Sequence, residues 1–309
     1  MRWQMALGVV LLLLTACRSV DERRLIFIIV PSQDNPFFKS EADAASEEAQ
    51  RLGYATRTEA HDDDAYRQDN LIDAAIASNA AAIVLDNAGA DSSVSAVRRA
   101  TQKGIPVFLI DREIEASGVA KAQIIADNNQ GARLVAAEFV QSMPNTGDYA
   151  ELLGRESDTN AQIRTKGFHA VLDIDAGLKL VSAQSANWSQ AEAFQKTETM
   201  LQAHPSITGI IAGNDTMALG AAAAVKSAGM KNIRIVGFDG SPDAIAGILA
   251  GEMQATSLQP AVFIARLAVN EADRYLKTGS TGAVERQIVL CYLVTKQNAK
   301  DYGNFEKLR

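Results

Sequence analysis

The chain has 309 residues, which is long enough for two ordinary domains. Its 47% hydrophobic and 22% charged residues are typical of a well-packed soluble protein and argue against a disordered chain. The formal net charge of −7 leaves no excess of basic side chains to neutralise phosphate groups, so we predict that nucleic acid is not a partner.

The N-terminal segment has the pattern of an export signal. Arg2 supplies a positive charge, and residues 5–14 form an apolar run that is shorter than the roughly 20 residues needed to span a bilayer. We therefore predict a signal peptide over residues 1–16. The sequence Leu14-Thr15-Ala16-Cys17 resembles the lipobox of bacterial lipoproteins, in which the cysteine becomes the lipidated first residue; an ordinary signal peptide with a chance cysteine is the alternative.

Strand and helix patterns alternate from Leu25 onward. Short apolar runs predict strands at 25–30, 54–58, 82–85, 106–110, 122–126, 148–153, 179–182, 207–212 and 235–238. Helices are predicted at 36–52, 65–78, 92–103, 128–143, 160–172, 189–203, 216–228 and 261–276. This alternation predicts an α/β fold with two similar lobes, each a doubly wound parallel sheet with helices on both faces.

Four of the predicted strands end in polar side chains. Asp86-Asn87 and Asp111-Arg112 follow strands of the first unit, and Asn214-Asp215 and Asp239 follow strands of the second. For any one of them, a cap on the next helix or an Asx turn is the simpler explanation. Open α/β sheets bind ligands at the carboxyl ends of their strands, so four such ends together predict a polar cleft.

The sequence predicts no metal site and no cofactor. The run His61-Asp62-Asp63-Asp64 has no second cluster at ligand spacing, which favours a solvated turn whose last aspartate caps the next helix. His169 and His204 stand apart from any nucleophile, and neither a phosphate-binding glycine loop nor a serine elbow occurs. With Cys17 lipidated, Cys291 has no partner for an internal disulfide, and we expect it to be a small buried hydrophobe.

Four motifs carry a resemblance to a known family. They are Asn35-Pro36-Phe37-Phe38, Leu109-Ile110-Asp111-Arg112, the run Asn-Asp-Thr-Met-Ala-Leu-Gly at 214–220, and the run Val-Gly-Phe-Asp-Gly-Ser-Pro-Asp at 236–243. In this order, over nearly all of the chain from Leu25, they resemble the exported sugar-binding proteins of the ribose-binding type that serve ABC importers. The resemblance implies the type I periplasmic binding protein fold, in which a three-segment hinge joins the two lobes.

The resemblance also divides the chain. It implies a lipidated tether at 17–24, a first lobe of 25–126 plus 259–287, a second lobe of 127–258 plus 288–309, and hinge crossings near Ala126, Leu258 and Gln287. Lac-repressor-type regulators share this core, but they need an N-terminal helix-turn-helix segment, and a signal peptide is predicted there instead.

A sugar held between the lobes is the implied ligand. The residues implied to bind it are Asn35, Phe37, Phe38, Asn87, Asp111 and Arg112 on one wall, Arg164, Trp188, Asn214 and Asp239 on the other, and Gln259 near the hinge. Pro31 and Trp188 replace a serine and a phenylalanine of the ribose binder, and segments 157–163 and 186–190 resemble a subgroup for which ribose is not implied. The expected ligand is therefore a pentose, a hexose or a related polyol.

The expected function is that of a monomeric, lipid-anchored binding protein, periplasmic or at the cell surface, which delivers its ligand to an ABC permease. A sensor that presents its loaded form to a membrane receptor is the alternative. Asp111 and Asp239 could also form the carboxylate pair of a glycosidase. Because no catalytic motif accompanies them, we predict that the protein is not an enzyme.

Overall fold

The computed structural model describes residues 24–308. The predicted signal peptide, Cys17 and all but the last residue of the tether lie outside this range. Strands are β1 (Leu25–Val30), β2 (Ala55–Ala60), β3 (Ala82–Leu85), β4 (Val107–Ile110), β5 (Ala122–Ala126), β6 (Gly147–Leu153), β7 (Leu178–Ser185), β8 (Ile207–Ala212), β9 (Arg234–Asp239), β10 (Ala255–Leu258), β11 (Arg286–Val289), β12 (Tyr292–Thr295), β13 (Tyr302–Gly303) and β14 (Glu306–Lys307).

The helices lie between these strands, as the alternating pattern predicts. They are α1 (Pro36–Arg51), α2 (Ala65–Ala77), α3 (Val94–Gln102), α4 (Asn128–Ser142), α5 (Thr159–Leu172), α6 (Gln190–Ala203), α7 (Asp215–Ser227), α8 (Pro242–Ala250) and α9 (Ala261–Thr278), followed by one 3₁₀ turn at Ala299–Asp301. Helix starts follow the capping signals, since Asn35 accepts a hydrogen bond from the Phe37 amide and Asp64 accepts from the Tyr66 amide.

Two six-stranded sheets form the two lobes. The first has the order β11-β5-β4-β3-β1-β2, and all its neighbouring strands are parallel. The second has the order β12-β10-β9-β8-β6-β7 and is parallel except for its edge strand β12, which runs antiparallel to β10. The fold is therefore the α/β fold with two doubly wound lobes that the sequence predicts.

The chain passes between the sheets three times, after β5, after β10 and between β11 and β12. The last passage lies at residues 290–291, later than the crossing expected near Gln287. The reason is that β11 continues to Val289, which is paired with Ala126 of β5. Residues 288–294 form one apolar run that includes the end of β11 and the start of β12, so no local pattern marks where the chain leaves one sheet for the other.

The core of the first lobe shows why its four inner strands, β1, β3, β4 and β5, are almost wholly apolar. Alternate residues of β1 face opposite sides of the sheet, so Ile26 and Ile28 pack with the layer of α1 and α9, while Phe27 and Ile29 pack with α2 and α3. This two-sided burial leaves only the ends of these inner strands in contact with solvent or ligand. It places the polar residues that follow β3, β4, β8 and β9 between the lobes.

Candidate functional site

A small cavity lies between the carboxyl ends of the two sheets. It is lined by Asn35, Phe37, Phe38, Asp111, Asp158, Asn160, Arg164, Trp188, Asn214, Asp239 and Gln259. A wider and more open groove shares Asn35, Phe37, Phe38, Trp188 and Asp239 with it. The inner cavity therefore has both polar and aromatic walls, contributed by both lobes.

Nine of the eleven ligand-contact residues predicted from the sequence line this cavity. The structure places the other two, Asn87 and Arg112, outside its lining. Asn87 is occupied in supporting the loop after β4, because its Nδ2 donates to the carbonyl oxygen of Arg112 at 2.7 Å and its Oδ1 accepts from the Gly89 amide at 3.0 Å. Arg112 is buried 3.8 Å from Asp111, and its Nε and Nη2 have no hydrogen-bond partner among residues 24–308, so its role as a ligand contact stays a prediction.

Arg112 joins the two lobes electrostatically. Its guanidinium lies 2.8 Å from Asp63 and 3.5 Å from Asp86 in the first lobe, and its Nε lies 3.0 Å from Asp158 in the second. Burial opposes the charged form, but the surrounding carboxylates, Asp158 foremost, raise the pKa of Arg112 above its ordinary value. Arg112 is thus a fixed cation at the junction of the lobes.

Asp63 corrects the prediction of a solvated turn at residues 61–64. Its side chain is only 10% exposed, because it pairs with Arg112 and, across the lobes, with Arg155 at 3.2 Å. His61 is fully buried, and burial lowers its pKa to about 4. As a neutral ring it donates from Nε2 to the Asp86 carbonyl oxygen at 2.8 Å and accepts the Asp63 amide at Nδ1. Asp64 alone keeps its predicted role as a helix cap.

Asp158 and Asn160 line the cavity and were not among the residues predicted to bind ligand. Both lie where the loop after β6 enters α5, and Asp158 caps that helix by accepting from the Asn160 amide at 2.9 Å. The Asn160 Nδ2 lies 3.3 Å from both carboxylate oxygens of Asp111 in the other lobe. The signal that could indicate them is Asp158 itself, an N-cap residue type two positions before the helix predicted at 160–172.

Arg164 is held rigidly in the second wall. It donates from Nε to the Asn128 Oδ1 at 2.7 Å and from Nη1 to the Gly213 carbonyl oxygen at 2.8 Å and to Asp239 at 3.2 Å. Its guanidinium also lies 4.0 Å above the ring of Phe238. These contacts fix the direction of the remaining N–H groups.

Two strained aspartates face each other across the cavity. Asp111 has φ 56° and Asp239 has φ 117°, conformations that persist in non-glycine residues where the surroundings enforce them. Burial raises the pKa of Asp111 to about 6 despite Arg112, and it raises that of Asp239 despite Arg164. Gln259 donates to Asp239 at 2.8 Å, while its buried Oε1 has no hydrogen-bond partner among residues 24–308.

Aromatic rings complete the walls. Phe37 and Phe38 meet edge to face at 5.6 Å between ring centroids. Trp188, opposite them, has φ 66° and donates from its indole Nε1 to Asp158 at 3.2 Å. Gly154 makes room for this ring, because a Cβ atom at that position would overlap it.

We also searched the described residues for a metal site, a membrane span and a reactive thiol. Within residues 24–308 no group of three or more His, Cys, Asp or Glu side chains is arranged to hold a metal ion. Over the same residues no helix has the length and apolar character of a membrane span. Cys291 is 3% exposed, and burial raises the pKa of its thiol to about 12, so the thiol is a buried and unreactive group, as expected.

The chain belongs to the family described as periplasmic binding protein domain, whose model matches residues 26–281. It is 53% identical over 298 residues to a D-apiose import binding protein of Paraburkholderia graminis, with 96% of each chain covered. It is 54% identical over 282 residues to a D-apiose import binding protein of Actinobacillus succinogenes, with 91% of each covered. These relatives are binding proteins, and this chain is a binding protein rather than an enzyme.

A solved structure has the same fold. It is an ABC transporter periplasmic solute binding protein from Actinobacillus succinogenes with bound D-allose, with 27% identity and a TM-score of 0.85. The alignment covers 91% of this chain and 100% of the other. The type I periplasmic binding protein fold expected from the motifs is therefore confirmed.

Proposed function

We propose that this protein captures D-apiose, or a neutral sugar of closely similar shape, in the interlobe cavity and delivers it to an ABC import permease. The observation that carries the proposal is the cavity lined by Asp111, Arg164, Trp188 and Asp239, in a chain more than half identical to two D-apiose import binding proteins. D-Apiose is preferred to ribose because those relatives are 53% and 54% identical to this chain, whereas two ribose import binding proteins are 32% and 33% identical.

The chemistry of the walls supports a polyhydroxylated ligand. Asp111, Asp239 and the unpartnered Gln259 Oε1 accept hydrogen bonds from hydroxyl groups, and Arg164 and Asn214 offer N–H donors. Hydrogen bonds to charged groups contribute about 1.5 to 3 kcal/mol each, so a few of them account for micromolar affinity, about −8 kcal/mol. The phenylalanine and tryptophan rings cover the C–H surfaces of a sugar.

The charges favour a neutral ligand. Three carboxyl groups, those of Asp111, Asp158 and Asp239, line the cavity together with the single guanidinium of Arg164. Even with Arg112 immediately behind Asp111, no positive charge is left over for a sugar phosphate or a sugar acid. An anion would therefore meet repulsion as well as the loss of its hydration.

Export and anchoring belong to the same proposal. The family is one of periplasmic proteins, and the signal-peptide and lipobox patterns at residues 1–17 support a lipid anchor on Cys17. We infer that the protein works as a monomer tethered to the membrane beside its permease. Replacement of Cys17 by serine would then release it from the membrane fraction without changing its affinity for sugar.

The experiment is isothermal titration calorimetry with D-apiose on wild-type protein and on Asp111→Ala, Arg164→Ala and Asp239→Ala. Each substitution removes a fixed polar group of the cavity wall and is expected to weaken binding by about tenfold or more. Asp43→Ala, which removes an exposed partner of Lys39, is the matched control and should leave affinity within about twofold. Unchanged affinity in all three cavity variants would rule out this site.

A further inference from the structure

The chain ends in a small hairpin, made of β13, β14 and a two-residue turn at Asn304-Phe305. The turn residues have φ 49° and 56°, the left-handed pair typical of a type I′ turn. Asparagine tolerates this conformation, whereas a bulky aromatic residue adopts it rarely. A glycine would be the usual second residue, so Phe305 is held in a strained conformation by its surroundings.

Packing of the Phe305 side chain holds the residue in this conformation. The side chain is only 2% exposed, although it lies in a turn near the end of the chain. Its ring meets that of Phe37 edge to face, with 5.5 Å between centroids and an interplanar angle of 87°. Phe37 in turn contacts Phe38, and both of these rings line the inner cavity, which Phe305 itself does not reach. Phe305 therefore supports the aromatic wall from outside the cavity.

The hairpin also contacts both lobes. The preceding 3₁₀ turn and β13 pack on α8 of the second lobe, and the Leu308 amide closes the hairpin by donating to the Asp301 carbonyl oxygen at 2.8 Å. On the other side, Glu306 pairs with Arg266 of α9 in the first lobe at 3.5 Å. Separation of the lobes must break one set of these contacts.

We propose that Phe305 is a positioning residue for ligand binding: it seats Phe37 in the cavity wall and, through the hairpin, adds a further link between the lobes. This inference rests on the proposed function for the nature of the ligand. Because the link exists only while the hairpin contacts both lobes, its loss should speed release of the ligand more than it slows capture.

The turn conformation allows a clean test. Phe305→Gly removes the ring and gives the turn its preferred Asn-Gly sequence, so the hairpin itself is retained. We expect it to weaken D-apiose binding by about five- to twentyfold, mostly through faster dissociation. Phe305→Tyr keeps the ring and its contact with Phe37, so it should retain more of the affinity than Phe305→Gly. Ile174→Gly, at an 81% exposed apolar position outside the hairpin, is the control.

Hydrogen exchange gives a readout that needs no sugar. The Phe37 amide donates to the Asn35 Oδ1 at 3.0 Å in the first turn of α1, and Phe305→Gly should accelerate its exchange in ligand-free protein while Ile174→Gly does not. Wild-type affinity and unchanged Phe37 exchange in Phe305→Gly would overturn the inference. Equal losses in Ile174→Gly, or an affinity no higher in Phe305→Tyr than in Phe305→Gly, would do the same. A wild-type protein that binds no sugar would overturn the proposed function, and the exchange result alone would then decide the role of Phe305.

Discussion

Replacement of Asp158 by asparagine breaks the ion pair that Asp158 makes between the lobes. The Asp158 carboxylate caps α5 through Oδ1, while its Oδ2 accepts the Trp188 indole N–H at 3.2 Å and lies 3.0 Å from the Arg112 Nε across the cavity. Asparagine has the same size and can still cap the helix through its one oxygen, but its NH2 group then replaces the second oxygen. The losses are therefore the negative charge that faces Arg112, whose attraction exists only when the lobes are together, and the hydrogen bond from Trp188.

The magnitude follows from the remaining partners of Arg112. Removing one partner of a buried ion pair costs several kcal/mol when the other charge is left alone. Here Asp63 at 2.8 Å and Asp86 at 3.5 Å stay beside Arg112, so the loss should be closer to that of the one charge-assisted hydrogen bond that Trp188 donates to Asp158, about 1.5 to 3 kcal/mol. This corresponds to a weakening of ligand affinity by roughly 10- to 150-fold.

Calorimetry gives the affinity for D-apiose, and stopped-flow fluorescence gives the dissociation rate. We expect Asp158→Asn to release ligand faster, with a smaller change in the association rate. Asp43→Asn, which breaks an exposed pair with Lys39, should change affinity by less than about twofold. An affinity within twofold of wild type in folded Asp158→Asn protein would refute the interpretation of Asp158 as an interlobe tie.

Two further predictions follow from buried or paired titratable groups. The hydrogen bond that the His169 ring donates to Glu151, opposed by burial and assisted by Asp173, raises the pKa of His169 to about 9. Because the folded-state pKa exceeds the unfolded value, the stabilisation is fully present below about pH 6.5 and is lost as the pH rises through 9, with an upper magnitude of about 3 kcal/mol. Urea unfolding of His169→Gln should therefore show a larger deficit at pH 6 than at pH 10, and equal deficits would contradict it. For Cys291, the native thiol should resist iodoacetamide at pH 8 and react once urea unfolds the chain; rapid alkylation of the native protein would show that the site is open.

Local signals account for most of the fold. The strand Leu25–Val30 and the start of α1 at Asn35-Pro36 are as the sequence predicts, because an apolar run and a capping residue are properties of neighbouring positions. Asn35 and Asn214 also show that one polar residue after a strand can both cap the next helix and line the cavity. Each side chain accepts a helix amide and also lines the cavity.

Contacts between distant segments explain the errors. Asp63 was assigned to solvent because its partners, Arg112 and Arg155, are far away in the sequence. Asn160 was missed for the same reason, since its contact with Asp111 exists only after both lobes have folded. Asn87, which the family resemblance implies as a ligand contact, stays a prediction, since the structure places it outside the cavity lining, where its amide supports the loop after β4.

The most direct test of sugar binding uses the fluorescence of Trp188, which lies in the cavity wall. In a Trp3→Phe variant Trp188 is the only tryptophan, and unfolding and refolding removes any ligand carried through purification. Titration with D-apiose, D-ribose, D-allose and small polyols should give a saturable change with D-apiose in the micromolar range and weaker responses to the others. A folded protein whose Trp188 emission responds to none of these compounds would contradict the assignment of the cavity as a sugar site.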